Sequence, residues 1–158
     1  MTIPMPIAAG ADARSYPLIA GLFSRQGYTD VREENFAAFT HRTGHTLLLF
    51  TEDPARFKET LDLAVIVPEI AGAFPGRFAV GVLLPEAARA FQPRYGFRRW
   101  PAIVLLRDGE YVGAVDGLRN WDEYLTAVAG LLEAQPSRPP TVGIAVKGVA
   151  DAGAGRGD

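Results

Sequence analysis

Residues 100–116 read Trp-Pro-Ala-Ile-Val-Leu-Leu-Arg-Asp-Gly-Glu-Tyr-Val-Gly-Ala-Val-Asp, and this stretch decides the fold. Asp108-Gly109 is a hairpin signal, because both residue types tolerate the positive φ of a two-residue turn. The runs on either side, 102–107 and 110–115, read as antiparallel strands. Five consecutive apolar residues, Ala102 to Leu106, imply a strand buried on both faces. Pro101 stands directly before that strand. It is read as a cis proline that turns the loop tightly into the sheet.

Working outward, His45 to Phe50 (HTLLLF) has the same doubly buried character and reads as a central strand. Thr51-Glu52-Asp53-Pro54 follows. Asp53 suits a helix N-cap and Pro54 the first helical position, so a long helix is expected from there to about Phe74. Pro68 inside it predicts a kink or break. The unbroken apolar run 63–67 predicts deep burial. Arg77 to Leu84 is the next strand, and Pro85 opens a helix to about Tyr95.

Toward the N-terminus, Ser15 is expected to cap a helix over 16–26, with Tyr16, Ile19, Leu22 and Phe23 on one face. A short strand fits 28–31. A helix over 33–42 follows, with Phe36 and Phe39 inward and Gly44 as its stop. Toward the C-terminus, Asn120 and Glu123 form a capping box. Behind them Trp121, Tyr124, Leu125, Val128, Leu131 and Leu132 make an apolar stripe. The sum is an α/β domain: a mixed sheet flanked by helices on both faces, with an extra N-terminal helix. Residues 1–13 read as a flexible start, 14–134 as the domain, and 135–158, rich in Pro and Gly, as a disordered tail. The alternation in 142–146 would permit a strand instead.

Composition excludes more than it proposes. A net charge of −2 gives no bulk attraction to nucleic acid or to an anionic membrane. The start of the chain lacks the basic and apolar regions of a secretory signal, and no apolar run approaches the roughly 18 residues needed to cross a bilayer. A cytoplasmic protein is expected. The chain has no cysteine, so thiolate chemistry, disulfides and thiolate-held clusters are excluded. His41 and His45 have a metal-like spacing, but Gly44 intervenes and no acid completes a set. No Ser-His-Asp set is arguable. Gly153, Gly155 and Gly157 follow no strand, and Arg156-Gly157-Asp158 reads as a chance triplet. Catalysis, cofactor and metal are not expected.

A strand, a loop, a long helix with an internal proline, and an X-Pro before a hairpin resemble the thioredoxin arrangement. The loop that would carry its paired cysteines is here thiol-free. Two segments are more specific: EDPARFKETLDLAVIVPEI at 52–70 and RYGFRRWPAIVLLRDGEYVGAVDGLRNWDEYL at 94–125. Together they resemble the HyaE/HupG/HoxO family of [NiFe]-hydrogenase maturation proteins. The resemblance implies a non-enzymatic assembly chaperone for the hydrogenase small-subunit precursor, which carries a twin-arginine signal peptide. Other hydrogenase accessory proteins are further implied partners. It carries over no catalytic residue. Two rivals remain: a thiol-free glutathione-handling enzyme, and a structural adaptor in another complex.

The candidate partner-binding residues are Glu52, Asp53, Glu59, Asp62, Arg98, Arg99, Trp100 and Pro101. The acids would receive the guanidinium groups of a signal peptide. Alternatively Glu52 or Asp53 pairs with Arg98 or Arg99 within the chain. Trp100 is either a contact residue or core, whereas Phe97 is read as core. The backbone edge at Pro101 would pair with an extended peptide.

Overall fold

In the computed structural model, residues 12–140 are described. A five-stranded sheet runs in the order β1-β3-β2-β4-β5, with β1 Thr29–Asp30, β2 His45–Phe50, β3 Phe78–Leu83, β4 Ala102–Arg107 and β5 Glu110–Asp116. β3 lies parallel to both β1 and β2. β4 is antiparallel to β2 and to β5. Asp108 and Gly109 both adopt positive φ, 52° and 86°, as the hairpin requires. The Trp100–Pro101 peptide is cis. This is the thioredoxin arrangement.

Alternation along the strands divides the core into two layers. On one face Leu47, Leu49, Val80, Val82, Ile103 and Leu105 pack under α1 (Pro17–Ser24), α3 (Glu59–Ala73) and α5 (Trp121–Glu133). On the other, Leu48, Phe50, Leu83, Val104 and Leu106 pack under α2 (Phe36–Thr40) and α4 (Pro85–Tyr95). The second layer is aromatic. Phe36 stacks on Phe91 at 3.7 Å, and Phe50 meets Tyr95 and Phe97 edge-on at 5.9 and 5.0 Å. Gly81 in β3 is part of that packing, since a Cβ there would collide with the Phe39 ring and the Val31 side chain.

Several local expectations change. The long helix starts at Glu59 rather than at Pro54. Asp53 does not cap it: its carbonyl takes the N–H groups of Arg56 and Phe57 (2.9 and 2.8 Å), and its carboxylate takes that of Ala55 (3.0 Å). These bonds close a separate turn. Pro68 does not break α3, which runs on to Ala73. The run 63–67 is only partly buried, because helical periodicity turns Val65 outward, 49% exposed. Ser15 caps nothing. It ends a short 3₁₀ turn, Ala13–Ser15, capped by Asp12, and α1 starts at Pro17, where the absent N–H needs no cap. The helix expected over 33–42 splits into a 3₁₀ turn, Glu33–Asn35, and α2. The Asn35 side chain forces that split, accepting from Arg32 N–H (2.6 Å) and donating to the Asp30 carbonyl (3.0 Å).

The Asn120–Glu123 capping box is present, with bonds of 2.9 and 3.0 Å. Trp121 leaves the expected stripe and is 41% exposed. Residues 135–140, at the start of the expected tail, are tied to β5. Ser137 N–H donates to Tyr111 O at 2.8 Å, and its hydroxyl donates to Val112 O at 3.3 Å. Of the expected loose start, only Asp12 and Ala13 are described, and Ala13 is buried. The readings at 142–146, Gly153, Gly155, Gly157 and Arg156–Asp158 lie outside the described residues. No helix among the described residues is long and apolar enough to cross a membrane.

Candidate functional site

Register fixes which loops meet. Phe50 pairs with Leu83 and Ala102, and Ala102 pairs with Asp116. The segments after β1, β2 and β3, the Trp100-Pro101 loop and the end of β5 therefore share one end of the sheet. Glu52, Asp53, Arg98, Arg99, Trp100 and Pro101 are all brought there. Glu59 and Asp62 stand on the first turns of α3, which starts at this same end, with Thr60 Oγ1 accepting the Glu52 N–H at 3.3 Å, but both are exposed and neither lines the cleft described below.

Glu52 is an interior group, 6% exposed. Its carboxylate holds Arg89 of α4 in a two-pronged pair, with Arg89 Nε donating to Oε2 at 2.9 Å and Nη2 to Oε1. Oε1 also accepts the N–H of Asp53 at 2.8 Å. The hydrogen bond to Glu52 pushes the Arg89 guanidinium above its ordinary pKa. The expected internal pair thus exists with a different arginine. Arg98 and Arg99 are too far along the loop and serve Asp116 instead. Their backbone N–H groups both donate to Asp116 Oδ2, at 2.8 and 3.1 Å. Burial alone would raise the Asp116 carboxyl, but these two N–H groups and the Arg119 guanidinium outweigh it and hold the pKa below its usual value.

Pro101 is buried, and its carbonyl is taken by Gly117 N–H at 2.8 Å. Phe97 is core, 4% exposed. Trp100 is half-buried, edge-on to Phe97 at 5.0 Å. His41 is exposed, with Nδ1 against its own helix at Ala37 O (2.9 Å). His45 lies at the start of β2, the other end of the sheet, and burial pushes its pKa down, aided by Arg107 and Arg77.

Beyond the C-terminal ends of β1 and β3 lies an open cleft of about 770 Å³. Asp12, Asp30, Glu33, Glu34, Asp53 and Glu86 line it, against Arg14, Arg32 and Arg89; Leu84, Pro85, Ala87 and Ala90 supply apolar wall. All three arginines are committed. Arg14 and Arg32 grip Asp30 at 2.6 and 2.7 Å, and Arg89 grips Glu52. Glu33, Glu34 and Glu86 carry no ion pair among the described residues. The cleft is therefore net acidic. Of its acids, the sequence reading singled out only Asp53 as a contact residue. The Glu33-Glu34 doublet was the available signal, masked because a helical reading makes it an ordinary solvated face.

The arrangement can hold guanidinium or ammonium groups. Among the described residues no set of three or more His, Cys, Asp or Glu side chains is placed to hold a metal ion.

Comparison with known proteins places this geometry in a family. The model described as hydrogenase-1 expression protein HyaE matches residues 18–124. The hydrogenase expression/formation protein HoxO of Cupriavidus necator is 35% identical over 139 residues, covering 87% of this chain and 86% of its own. HoxO of Azotobacter vinelandii is 32% identical over 127 residues, covering 80% and 85%. HupG of Rhodobacter capsulatus is 29% identical over 132 residues, covering 83% and 96%. With the family match running from α1 into α5, the chain belongs to the HyaE family of hydrogenase expression proteins.

Proposed function

We propose that this protein is a non-catalytic chaperone of [NiFe]-hydrogenase maturation, acting in the cytoplasm. In this reading it binds the small-subunit precursor and receives the paired arginines of its twin-arginine signal in the acidic cleft. Other hydrogenase accessory proteins would meet it in the same assembly. Family membership supports the role in hydrogenase expression. The single observation that carries the contact is the charge of the cleft, where Glu33, Glu34 and Glu86 carry no ion pair among the described residues. Guanidinium forks suit such carboxylates, and the apolar wall at Pro85, Ala87 and Ala90 suits the residues that follow a signal's arginines. Glu52 acts from behind, holding Arg89 out of the competition.

The test is calorimetric titration of the precursor into wild type and into Glu34→Lys/Glu86→Lys. Both positions are exposed, so the fold is retained. Affinity should fall at least about tenfold, roughly 1.4 kcal/mol. Unchanged affinity would move the contact elsewhere. Absence of wild-type binding would end the precursor reading itself.

A further inference from the structure

The β4–β5 side of the same sheet end carries the opposite charge. Arg98 and Arg99 anchor their backbones on Asp116, and both side chains are exposed. The Arg99 stem lies over Gly117, where a Cβ would stand 3.2 Å from Arg99 Cδ. The next residues bring Leu118 and Trp121 into solvent, 44% and 41% exposed. That loop is held rigidly. The Tyr124 hydroxyl donates to Gly117 O and accepts Arg119 N–H, both at 3.2 Å, and Arg119 Nε donates to Asp116 O at 2.9 Å. Asp116 is spent on these neighbours. Among the described residues no carboxylate lies within ion-pair distance of the Arg98 or Arg99 guanidinium. The capping box already satisfies the start of α5, so the guanidinium groups are the anion-binding elements here.

We propose that Arg98, Arg99, Leu118 and Trp121 form a second docking surface, whose occupant is an acidic protein segment with carboxylates flanking an apolar anchor. Arginine and tryptophan dominate binding hot spots, and a fixed loop lowers the ordering cost of binding. The two guanidinium groups, without an ion pair among the described residues, match two carboxylates, and the exposed Leu118 and Trp121 match one apolar side chain between them. Lipid is disfavoured, because polybasic membrane sites cluster about 4–8 cations and this chain's net charge is −2. The same arginines repel a twin-arginine signal, so this surface takes a different ligand from the acidic cleft. The proposal stands independently of the signal-peptide reading.

The probe is a short fluorescein-labelled peptide in which Asp and Glu flank a Leu-Phe pair, with Gln-flanked and Lys-flanked versions as controls. By fluorescence anisotropy at low salt, the acidic version should bind at least about fivefold tighter than the Gln version, and the Lys version weakest. Arg98→Gln with Arg99→Gln should weaken the acidic peptide about tenfold, and Trp121→Ala about fivefold. NMR of the wild type with the acidic peptide should move the Trp121 indole N–H and the Leu118 methyls, which reads the surface without any variant. Equal binding of the Lys version, an unaffected double-Gln variant, or shifts confined to Glu34 and Glu86 would overturn the proposal. Phosphatidylglycerol vesicles that sediment the wild type but not the double-Gln variant would assign the surface to lipid and overturn it as well.

Discussion

The two shoulders of one sheet end differ in sign and in construction. On the β1–β3 side, acids outnumber arginines, and every arginine of the cleft is spent on Asp30 or Glu52. On the β4–β5 side the reverse holds: the acid, Asp116, is spent on backbone N–H groups and Arg119, and Arg98 and Arg99 carry no ion pair among the described residues. Net charge hides this, because −2 over the chain sums 16 basic and 18 acidic residues whatever their placement. What a surface attracts is set by which charges are left over after internal pairing. The difference also concerns burial. Glu52–Arg89 is anchored in the interior at its acid end, whereas Asp116, the last residue of β5, is only partly buried.

The sharpest way to break the comparison is Arg89→Ala. It strips the partner from a carboxylate that is 6% exposed. We expect a loss of about 2–3 kcal/mol in denaturant unfolding, below the range for fully buried pairs because Arg89 itself is half-exposed. A loss under about 0.5 kcal/mol would mean that Glu52 finds water or another donor, and that the acidic shoulder does not depend on this pair.

A smaller effect belongs to Asp116→Asn, expected to cost about 1 kcal/mol near neutral pH, since Asn keeps an acceptor but loses the charge. The folded-state pKa of Asp116 lies below its ordinary value. Its contribution is therefore complete above the unfolded carboxylate value, about 3.9, and is lost as pH falls through the folded value. Stability curves of wild type and variant should converge in acid. A constant gap down to the lowest measurable pH would show that loop geometry, not charge, holds Arg98 and Arg99 in place.

The smallest effect is expected at the basic rim. Arg98→Ala and Arg99→Ala remove exposed heads while keeping the backbone bonds to Asp116, so stability should stay within about 0.5 kcal/mol of wild type. A larger loss in thermal denaturation would reveal a structural duty for those side chains and weaken their assignment to binding.

The sequence by itself determined the frame. Doubly apolar runs at 45–50 and 102–106, the Asp108-Gly109 turn and the Asn120–Glu123 box are local signals, and each appears with nearly its expected limits. The resemblance carried by 52–70 and 94–125 named the family that the comparisons found. Tertiary structure alone decided the pairing and the exposure. Glu52 meets Arg89 across 37 positions because β2 and α4 pack together, and no local pattern encodes that meeting. Asp53 reads as an N-cap, yet its bonds close a turn before the helix. Trp121 reads as core by helical spacing, yet it stands at the first turn of α5 and stays exposed. Hydrophobic periodicity and turn chemistry act within a few residues and so are legible in a chain. The choice of partner for a charge depends on distances between elements far apart in sequence, and these exist only once the sheet has set its register.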